Sequence, residues 1–204
     1  MEKTTFNFIF RKRGNIGMLL LPGLAATFLS YPLWIPTGFL NFSLDVLAWF
    51  FFALYITFRL WATLYVAGRK DEYLQTQGPY SITRNPLYFG SFCLAFSITL
   101  FLKSLTLLFL TGIVGFIYAQ KIVRIEEIWL GKKFGEKFKA YCRSTPRFLP
   151  SWKKYHSDDF LNVEIKGLKS ESRRLWASVL IPIATQMMMW FRLSPRWPHL
   201  FPLP

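Results

Sequence analysis

The chain carries several uninterrupted apolar runs that are about as long as a lipid bilayer is thick. A membrane-crossing helix needs about 20 apolar residues, because the hydrocarbon core is about 30 Å thick and each helical residue rises about 1.5 Å. The composition agrees, since 52% of the 204 residues are hydrophobic. We predict an all-α, multi-pass integral membrane helical bundle, with spans at Ile16–Ile35, Phe42–Ala67, Leu87–Leu102 and Leu105–Val123.

Two runs leave alternatives open. The first follows basic residues, as a signal peptide does, but no small-residue cleavage site comes after it, so we expect a retained anchor. A further run, Leu175–Phe191, is short and interrupted by Pro182. It is either a fifth span or a helix in the membrane interface with Trp176 and Trp190 as anchors. The bundle therefore has four to five predicted transmembrane helices.

The basic residues predict the orientation of the bundle. The formal net charge is +14, and the cations cluster at Arg11–Arg13, Arg69–Arg84 and Lys121–Arg174. Positive loops stay on the cytoplasmic side, so these segments and the N-terminus should be cytoplasmic, in the cytoplasmic membrane if the source is bacterial. The nearly uncharged loops at Pro36–Asn41 and around Lys103 should face the other side. The clustering favours a membrane surface as partner, and we expect no nucleic acid binding.

The composition shifts once along the chain. Residues 1–150 are predicted to form one membrane domain. After Pro150, serine, lysine and acidic residues become frequent, so residues 151–204 are predicted to be a cytoplasmic extension that contains the candidate helix 175–191.

The cysteines and histidines do not predict a metal site. Cys93 and Cys142 have neither metal-ligand spacing nor a disulfide pattern, and both are expected to be free thiols. His156 and His199 have no further ligand at a suitable spacing. We expect these four residues to be structural or incidental.

A polar motif, GPYSITRNPLYFG, interrupts the apolar pattern at residues 78–90. Gly78-Pro79 predicts a turn, and Asn85-Pro86 predicts a helix N-cap followed by proline in the first helical position. A helix N-terminus offers unpaired N–H groups to an anion. The alternative is that Asn-Pro caps a helix with no ligand and that Tyr80 and Tyr88 are interfacial aromatics.

The second polar group follows the fourth predicted span. Leu87–Leu102 and Leu105–Val123 are joined by two residues, so they should form an antiparallel hairpin. Its two cytoplasmic ends would then bring Glu126 and Glu127 close to Arg84 and Asn85. An acid beside an anion-binding helix terminus suits a zwitterion such as an amino acid group. The alternative is a solvated helix face on which these acids pair with a cation one turn away.

Together the two motifs resemble a known family. The first motif, followed by the hairpin and by RIEEIWLGKKFGEKFKAYCRSTPRFLP at residues 124–150, is similar to the isoprenylcysteine carboxyl methyltransferase and phospholipid methyltransferase superfamily. The resemblance covers residues 61–150. It implies S-adenosyl-L-methionine as cofactor, bound at the cytoplasmic face by loop and helix ends rather than by a Rossmann fold.

The resemblance also implies roles for residues. Glu126, the first acid of the pair, would hold the cofactor's amino group, and Arg124 would contact substrate. Better-known eukaryotic members have His where this chain has Asn85, which has no titratable group. No catalytic residue is assigned, because a carboxylate acceptor needs no base. The cofactor-binding positions would be Glu72, Tyr73, Leu74, Gln75, Tyr80, Arg84, Asn85, Pro86, Leu87, Tyr88 and Glu126.

The sequence thus predicts a membrane methyltransferase that takes a lipid or isoprenoid acceptor from the bilayer, and methylation of a carboxylate oxygen is favoured. Phospholipid N-methylation is one alternative, and a non-enzymatic transporter or scaffold is another. A transporter usually needs ionisable groups deep in the membrane and a repeated half. Here Asp45 is the only acid near a span interior, and no repeat is found. A sterol reductase would be much longer. The sequence identifies neither a protein partner nor the oligomeric state.

Overall fold

The computed structural model describes residues 18, 20–33, 35–66, 73–158, 163 and 165–204. Most of them are helical. The helices are α1 Leu20–Phe28, α2 Gly38–Val66, α3 Pro79–Ile82, α4 Pro86–Phe101, α5 Leu105–Tyr118, α6 Arg124–Phe134, α7 Glu136–Ser144, α8 Ile165–Ser178 and α9 Leu180–Leu193. A π-helical segment, Ala119–Val123, joins α5 to α6, and Trp152–Lys154 forms a 3-10 turn. Two short strands, β1 Ser30–Pro32 and β2 Phe201–Leu203, complete the described chain.

The chain divides into two compact units. The first comprises the described residues within Met1–Phe50, Ala95–Glu126 and Ile181–Pro204. In it, Gly23 lets α1 approach α5 closely, because a Cβ there would lie 3.1 Å from Leu110 Cδ1. Strands β1 and β2 pair in parallel, with Ser30 opposite Phe201.

Polar side chains are buried in the first unit as well. Arg192 of α9 is 1% exposed and donates to the Ser30 hydroxyl (3.0 Å) and to the main-chain carbonyl of Leu102 (3.2 Å). Lys103, in the link between α4 and α5, pairs with Asp45 at 2.7 Å. These contacts satisfy cations that would otherwise be costly to bury.

The second unit comprises the described residues within Phe51–Leu94 and Glu127–Leu180. Its apolar core is built around Phe52, Tyr55, Cys93 and Leu175. Gly90, near the start of α4, allows close contact with α2, because a Cβ there would lie 3.3 Å from the Tyr55 carbonyl oxygen. Gly90 therefore admits the α2 backbone.

Two helical stretches are long and apolar enough to cross a membrane, namely Gly38–Val66 and Leu105–Phe134. They correspond to the predicted second and fourth spans, although the latter continues in helical form through the charged residues after Val123. The predicted third span corresponds to α4, which is apolar but has 16 residues and so extends only about 24 Å.

The first predicted span and the candidate helix at 175–191 are not single continuous helices in the described residues. Within the described residues the first is a nine-residue helix, α1, followed by strand β1. Nine residues cover about 14 Å, well short of a bilayer. The later run is divided between α8 and α9, which are separated in the chain by Val179. Pro182 explains the break, because proline is tolerated in the first turn of a helix but not in its interior.

Candidate functional site

The polar motif begins with a turn that only glycine fits. Gly78 has φ +57°, in the left-handed region, and a Cβ there would overlap the Tyr65 ring at 2.2 Å. Its N–H donates to the His156 carbonyl at 2.8 Å, and its own carbonyl accepts from the Ser81 hydroxyl at 2.6 Å. Pro79 then opens α3. The predicted turn is therefore present and is fixed to the segment that follows Pro150.

The next residues bind a later part of the chain, and in each bond the later part contributes a main-chain group. Arg84 N–H donates to the Pro146 carbonyl at 2.9 Å, and Ser151 N–H donates to the Ile82 carbonyl at 2.9 Å. Between them, the Thr83 hydroxyl donates to the Phe148 carbonyl at 2.9 Å. These bonds hold the segment TPRFLP, residues 145–150, against the start of α4.

Asn85 stands at the start of α4, as the Asn-Pro pair predicts. Its carbonyl accepts from Phe89 N–H at 2.9 Å, the first bond of the helix. Its side chain is turned to other partners. Asn85 Nδ2 donates to Glu127 Oε1 at 3.3 Å and to the Arg147 carbonyl at 3.0 Å. The residue is 8% exposed, so both bonds lie in a water-poor environment.

Glu127 is at the centre of a group of charged and polar side chains around the start of α4. Its Oε1 lies 3.2 Å from Arg84 Nη1, and its Oε2 lies 2.7 Å from Arg147 Nη2. The side chains of Glu127 and Arg84 are 10% and 14% exposed, so salt screens their attraction less than it screens a surface pair, whereas the Arg147 side chain is 39% exposed. Contact between Glu127 and Asn85 is what the predicted antiparallel hairpin requires. We name the group Arg84, Asn85, Glu127 and Arg147 the charged cluster.

The cluster retains unused donor capacity. Two guanidinium groups face one carboxylate, so one positive charge is left over. Arg84 Nε and Arg147 Nε are buried and have no hydrogen-bond partner. An unpaired buried N–H costs free energy, so an added acceptor at either atom would be favourable.

Helix α7 supplies two further side chains to this site. Cys142 Sγ accepts from Arg84 Nη1 at 2.9 Å. The Tyr141 hydroxyl donates to the Tyr80 carbonyl at 2.6 Å, which ties α7 to α3. Burial raises the pKa of the Tyr141 phenol well above its ordinary value, so the hydroxyl stays a proton donor.

The other predicted site residues are distributed as follows. Tyr80, Leu87 and Tyr88 are half-buried, and Pro86 is buried, all in the second unit around the entrance to α4. Leu74 and Gln75 are half-buried and Tyr73 is exposed, in the stretch before Gly78. Arg124 and Glu126 open α6 and belong to the first unit. Glu72 lies outside the described residues.

Sequence reasoning assigned no role to Glu127, Arg147, Tyr141 or Cys142. Glu127 stands beside Glu126 in the sequence, and the resemblance assigns the amino-group role to Glu126. Arg147 was visible in the quoted TPRFLP segment, and its charge was the signal. Its position in the fold was not visible, because its main-chain carbonyl is held by the side chains of Asn85 and Thr83, 62 and 64 positions earlier in the chain.

The fold and site together define a mostly helical protein with two helices long and apolar enough to cross a membrane and a charged cluster at the entrance to an apolar helix. The model of the phospholipid methyltransferase family matches residues 33–137. The chain belongs to this family of membrane methyltransferases, so the resemblance drawn from the two motifs is confirmed. Together with the two apolar helices, this membership indicates a membrane location.

Two curated relatives carry other names. The chain is 34% identical over 107 residues to the nickel-cobalt-cadmium resistance protein NccN of Alcaligenes xylosoxydans xylosoxydans, covering 52% of this chain and 50% of the relative. It is 31% identical over 111 residues to the cobalt-zinc-cadmium resistance protein CzcN of Cupriavidus metallidurans, covering 54% and 51%.

The chain thus spans about half the length of the curated relatives it matches. No solved structure matches it significantly. In the part of the chain that the structure describes, no three His, Cys, Asp or Glu residues are grouped as a metal site would require.

Proposed function

We propose that this chain is an S-adenosyl-L-methionine-dependent methyltransferase that acts on a lipid or isoprenoid acceptor in the bilayer. The observation that carries the proposal is the charged cluster at the start of α4, in a chain of the phospholipid methyltransferase family. Three of its four residues fall within the matched range. The number of spans, four to five, and the cytoplasmic position of the site are parts of the same proposal.

The residues present fit the cofactor. Its methionine end carries a carboxylate and an ammonium group, which need a cation or N–H donors and an anion respectively. Arg84 Nε and Arg147 Nε are buried donors without a partner, and they would take the carboxylate. Glu126, beside the cluster in sequence, would take the ammonium group. Tyr80 and Tyr88 would offer aromatic faces to the adenine or to the sulfonium charge.

Glu127 would act as a positioning residue. Each of its oxygens pairs with an arginine, and the ammonium group is assigned to Glu126, as the family resemblance implies. Glu127 pairs with Arg84 of the first motif and with Arg147 of the second. It would thereby hold the Nε atoms of the two guanidinium groups in a constant arrangement. The rest of the cofactor surface would be lined by Glu72, Tyr73, Leu74, Gln75, Pro86 and Leu87. Arg124 would contact the acceptor.

The rate of methyl transfer depends mainly on how the two reactants are positioned. Bound S-adenosylmethionine supplies an electrophilic methyl group on its sulfonium. The protein's task is to align the acceptor with that methyl and to exclude water, which contributes up to about 7–11 kcal/mol in well-oriented systems. A carboxylate acceptor needs no base. Asn85 cannot titrate, so the cluster offers no general base at that position, and this favours O-methylation of a carboxylate over N-methylation of an ammonium group.

The test is cofactor binding to the full chain in detergent, measured by calorimetry. Wild type should bind, and Tyr88→Ala and Glu126→Gln should lose most of the affinity. Tyr155→Ala, an exposed tyrosine of the same unit, serves as control and should bind normally. If folded wild type fails to bind in detergent and in lipid nanodiscs, the proposal is wrong.

A second experiment identifies the acceptor class. The chain is incubated with methyl-labelled cofactor and a bacterial lipid extract. A carboxyl methyl ester releases volatile methanol in mild base, whereas an N-methyl group does not. Base-labile label supports the carboxylate acceptor, and base-stable label in phospholipid supports the N-methylation alternative.

The names of the two relatives keep a non-enzymatic role open as a second candidate. A membrane protein that contributes to metal resistance without chemistry would neither bind the cofactor nor transfer label. Its loss would change metal tolerance in cells, and Glu126→Gln would leave that tolerance intact.

A further inference from the structure

The chain from Trp152 to Ser157, which we name the aromatic segment, lies against the last two turns of α2. The Trp152 ring is stacked on the Trp61 ring, with the two planes 13° apart and the centroids 5.9 Å apart. The centroid of the Tyr155 ring also lies 5.9 Å from that of Trp61. About one turn further along α2, the Tyr65 hydroxyl is hydrogen-bonded to the Ser157 hydroxyl at 2.8 Å. These contacts fix the aromatic segment along the end of α2.

The aromatic segment keeps much of its apolar surface outside the fold. Trp152 is 63% exposed and Tyr155 is 50% exposed, although both rings pack on α2. They are three positions apart around a 3-10 turn, in which side chains at that spacing lie on the same side. Lys153 and Lys154, between them, are exposed, and Lys154 also donates to the Ser144 carbonyl. The segment therefore presents large aromatic rings together with cations.

The length of α2 sets the depth of this segment in a bilayer. The helix has 29 residues and is about 43 Å long, whereas the hydrocarbon core is about 30 Å thick. Its two charged residues, Asp45 and Arg59, each lie seven positions from an end of the helix, which favours a centred placement. About 6 Å at each end then extends beyond the core. Trp61 lies about 8 Å before the end at Val66, at the boundary between hydrocarbon and headgroups.

We propose that the aromatic segment is seated in the headgroup layer of the bilayer and anchors this part of the chain to the membrane surface. The rings of Trp152 and Tyr155 lie at the headgroup level beside Trp61, and Lys153 contacts the lipid phosphates. Aromatic and lysine side chains suit this layer, because each combines an apolar body with a polar end. An acidic soluble partner would pair with the lysine, but it would not account for the position of the rings at the end of an apolar helix.

The anchor also fixes the depth of the charged cluster. The His156 carbonyl accepts from Gly78 N–H at 2.8 Å, and His156 N–H donates to the Ser81 hydroxyl at 3.1 Å, so the segment is bonded to the polar motif that leads to Arg84. The sequence predicts a cytoplasmic extension after Pro150, and the first residues of this extension are instead held at the membrane surface. The anchor forms whether or not the protein binds a cofactor.

The test uses the full chain in lipid nanodiscs with a fluorophore at His156→Cys, an exposed position of the segment, and with the native cysteines replaced. Phosphatidylcholine that carries a nitroxide quencher, either on its headgroup or near the end of its acyl chain, is added at equal mole fraction. The headgroup quencher should reduce the fluorescence several-fold more strongly. Weak quenching by both lipids would place the segment in water, and stronger quenching by the acyl-chain probe would place it in the core. Either result would overturn the proposal.

The decisive variant is Trp152→Ser, and the matched control is Trp176→Ser, which removes another exposed tryptophan from the same unit. Trp152→Ser should lower quenching by the headgroup probe at least twofold, whereas the control should leave it unchanged. Equal quenching in the two variants would overturn the proposal. The ratio between the two quenchers in wild type provides a measurement that does not depend on the folding of any variant.

A charge reversal separates lipid binding from packing on Trp61. Lys153→Glu alters an exposed side chain and leaves the aromatic stack in place. In nanodiscs that contain phosphatidylglycerol it should lower quenching by the headgroup probe, because the new carboxylate is repelled by the anionic surface. Lys137→Glu, at an exposed position on α7, is the charge-matched control and should have no effect. The same quenching in both variants would contradict contact between Lys153 and the phosphates.

Discussion

At the charged cluster, two arginines that are 63 positions apart in the sequence meet at a single carboxylate. Arg84 and Arg147 each contact one oxygen of Glu127, and the Glu127 side chain is 10% exposed. Removing one partner of a buried ion pair is costly because the other charge stays behind without compensation. Glu127 should therefore contribute more to stability than its count of hydrogen bonds indicates.

We expect Glu127→Gln to lower the free energy of unfolding by about 3 kcal/mol, because both guanidinium groups lose their counter-charge. Glu136→Gln on α7 is the control. Its pair with Lys139 is exposed, with an 81% exposed Glu136 side chain, so it should change stability by less than about 0.5 kcal/mol. Unfolding in mixed micelles measures both. Equal effects of the two substitutions would contradict the central position of Glu127.

Two glycines in the left-handed region allow a matched comparison. Gly78 has φ +57° and is pressed against the Tyr65 ring, whereas Gly135 has φ +55° and has open space around it. Gly135→Ala should cost only the conformational term, roughly 1–3 kcal/mol. Gly78→Ala should cost clearly more, because steric overlap is added.

A double-mutant cycle separates the two terms at Gly78. In a Tyr65→Ala background, Gly78→Ala should cost about as much as Gly135→Ala does in wild type, since the overlap is relieved. Unfolding in mixed micelles again provides the measurement. A cost that does not depend on residue 65 would mean that backbone strain alone explains the glycine.

At the scale of elements, α7 is tied to α3 by the bond from the Tyr141 hydroxyl to the Tyr80 carbonyl. Tyr141→Phe removes this donor and should destabilise the protein by about 1 kcal/mol at neutral pH. The pKa of Tyr141 is raised by burial, so above a pH of about 10 the unfolded chain releases this proton while the folded chain retains it.

Stability should therefore fall as pH rises above 10, and the fall should be smaller in Tyr141→Phe. Alkaline titration monitored by phenolate absorbance checks the assignment, because the variant should lack one late-titrating tyrosine. If the two proteins show the same pH dependence of unfolding, then Tyr141 does not hold its proton in the fold.

The elements also show what local sequence can and cannot predict. Helix α2 was predictable because one apolar run supplies its whole length, and the Gly78 turn and the Asn85-Pro86 helix start were predictable because their signals are local. The continuous helix predicted at Ile16–Ile35 is interrupted within the described residues, because Ser30–Pro32 pairs as a strand with Phe201–Leu203, a partner about 170 residues away that no local pattern reveals. The same limit hid Arg147, which reaches the site only through the fold.

At the scale of the whole molecule, the basic residues predict an orientation that can be measured. Thr37, at the N-terminal end of α2, and Lys132, near the end of α6, are both exposed and should lie on opposite sides of the membrane. We expect Lys132→Cys to react with an impermeant thiol reagent from the cytoplasmic side and Thr37→Cys from the other side. Both variants are made in a background without native cysteines. Labelling of both positions from one side would contradict the predicted topology.

The segment at residues 146–151 is held by its backbone. Arg84, Thr83 and Asn85 donate to its carbonyl oxygens, and Ser151 reaches back through its own N–H. A peptide group offers the same hydrogen-bonding atoms whatever side chain the residue carries. An exposed residue such as Leu149 can therefore be substituted during evolution while the main-chain hydrogen bonds of the segment are kept. The family match ends at residue 137, before this segment begins. In distant relatives the segment equivalent to residues 146–151 should therefore be identified by its position after α7 and by one basic residue within it, rather than by sequence identity.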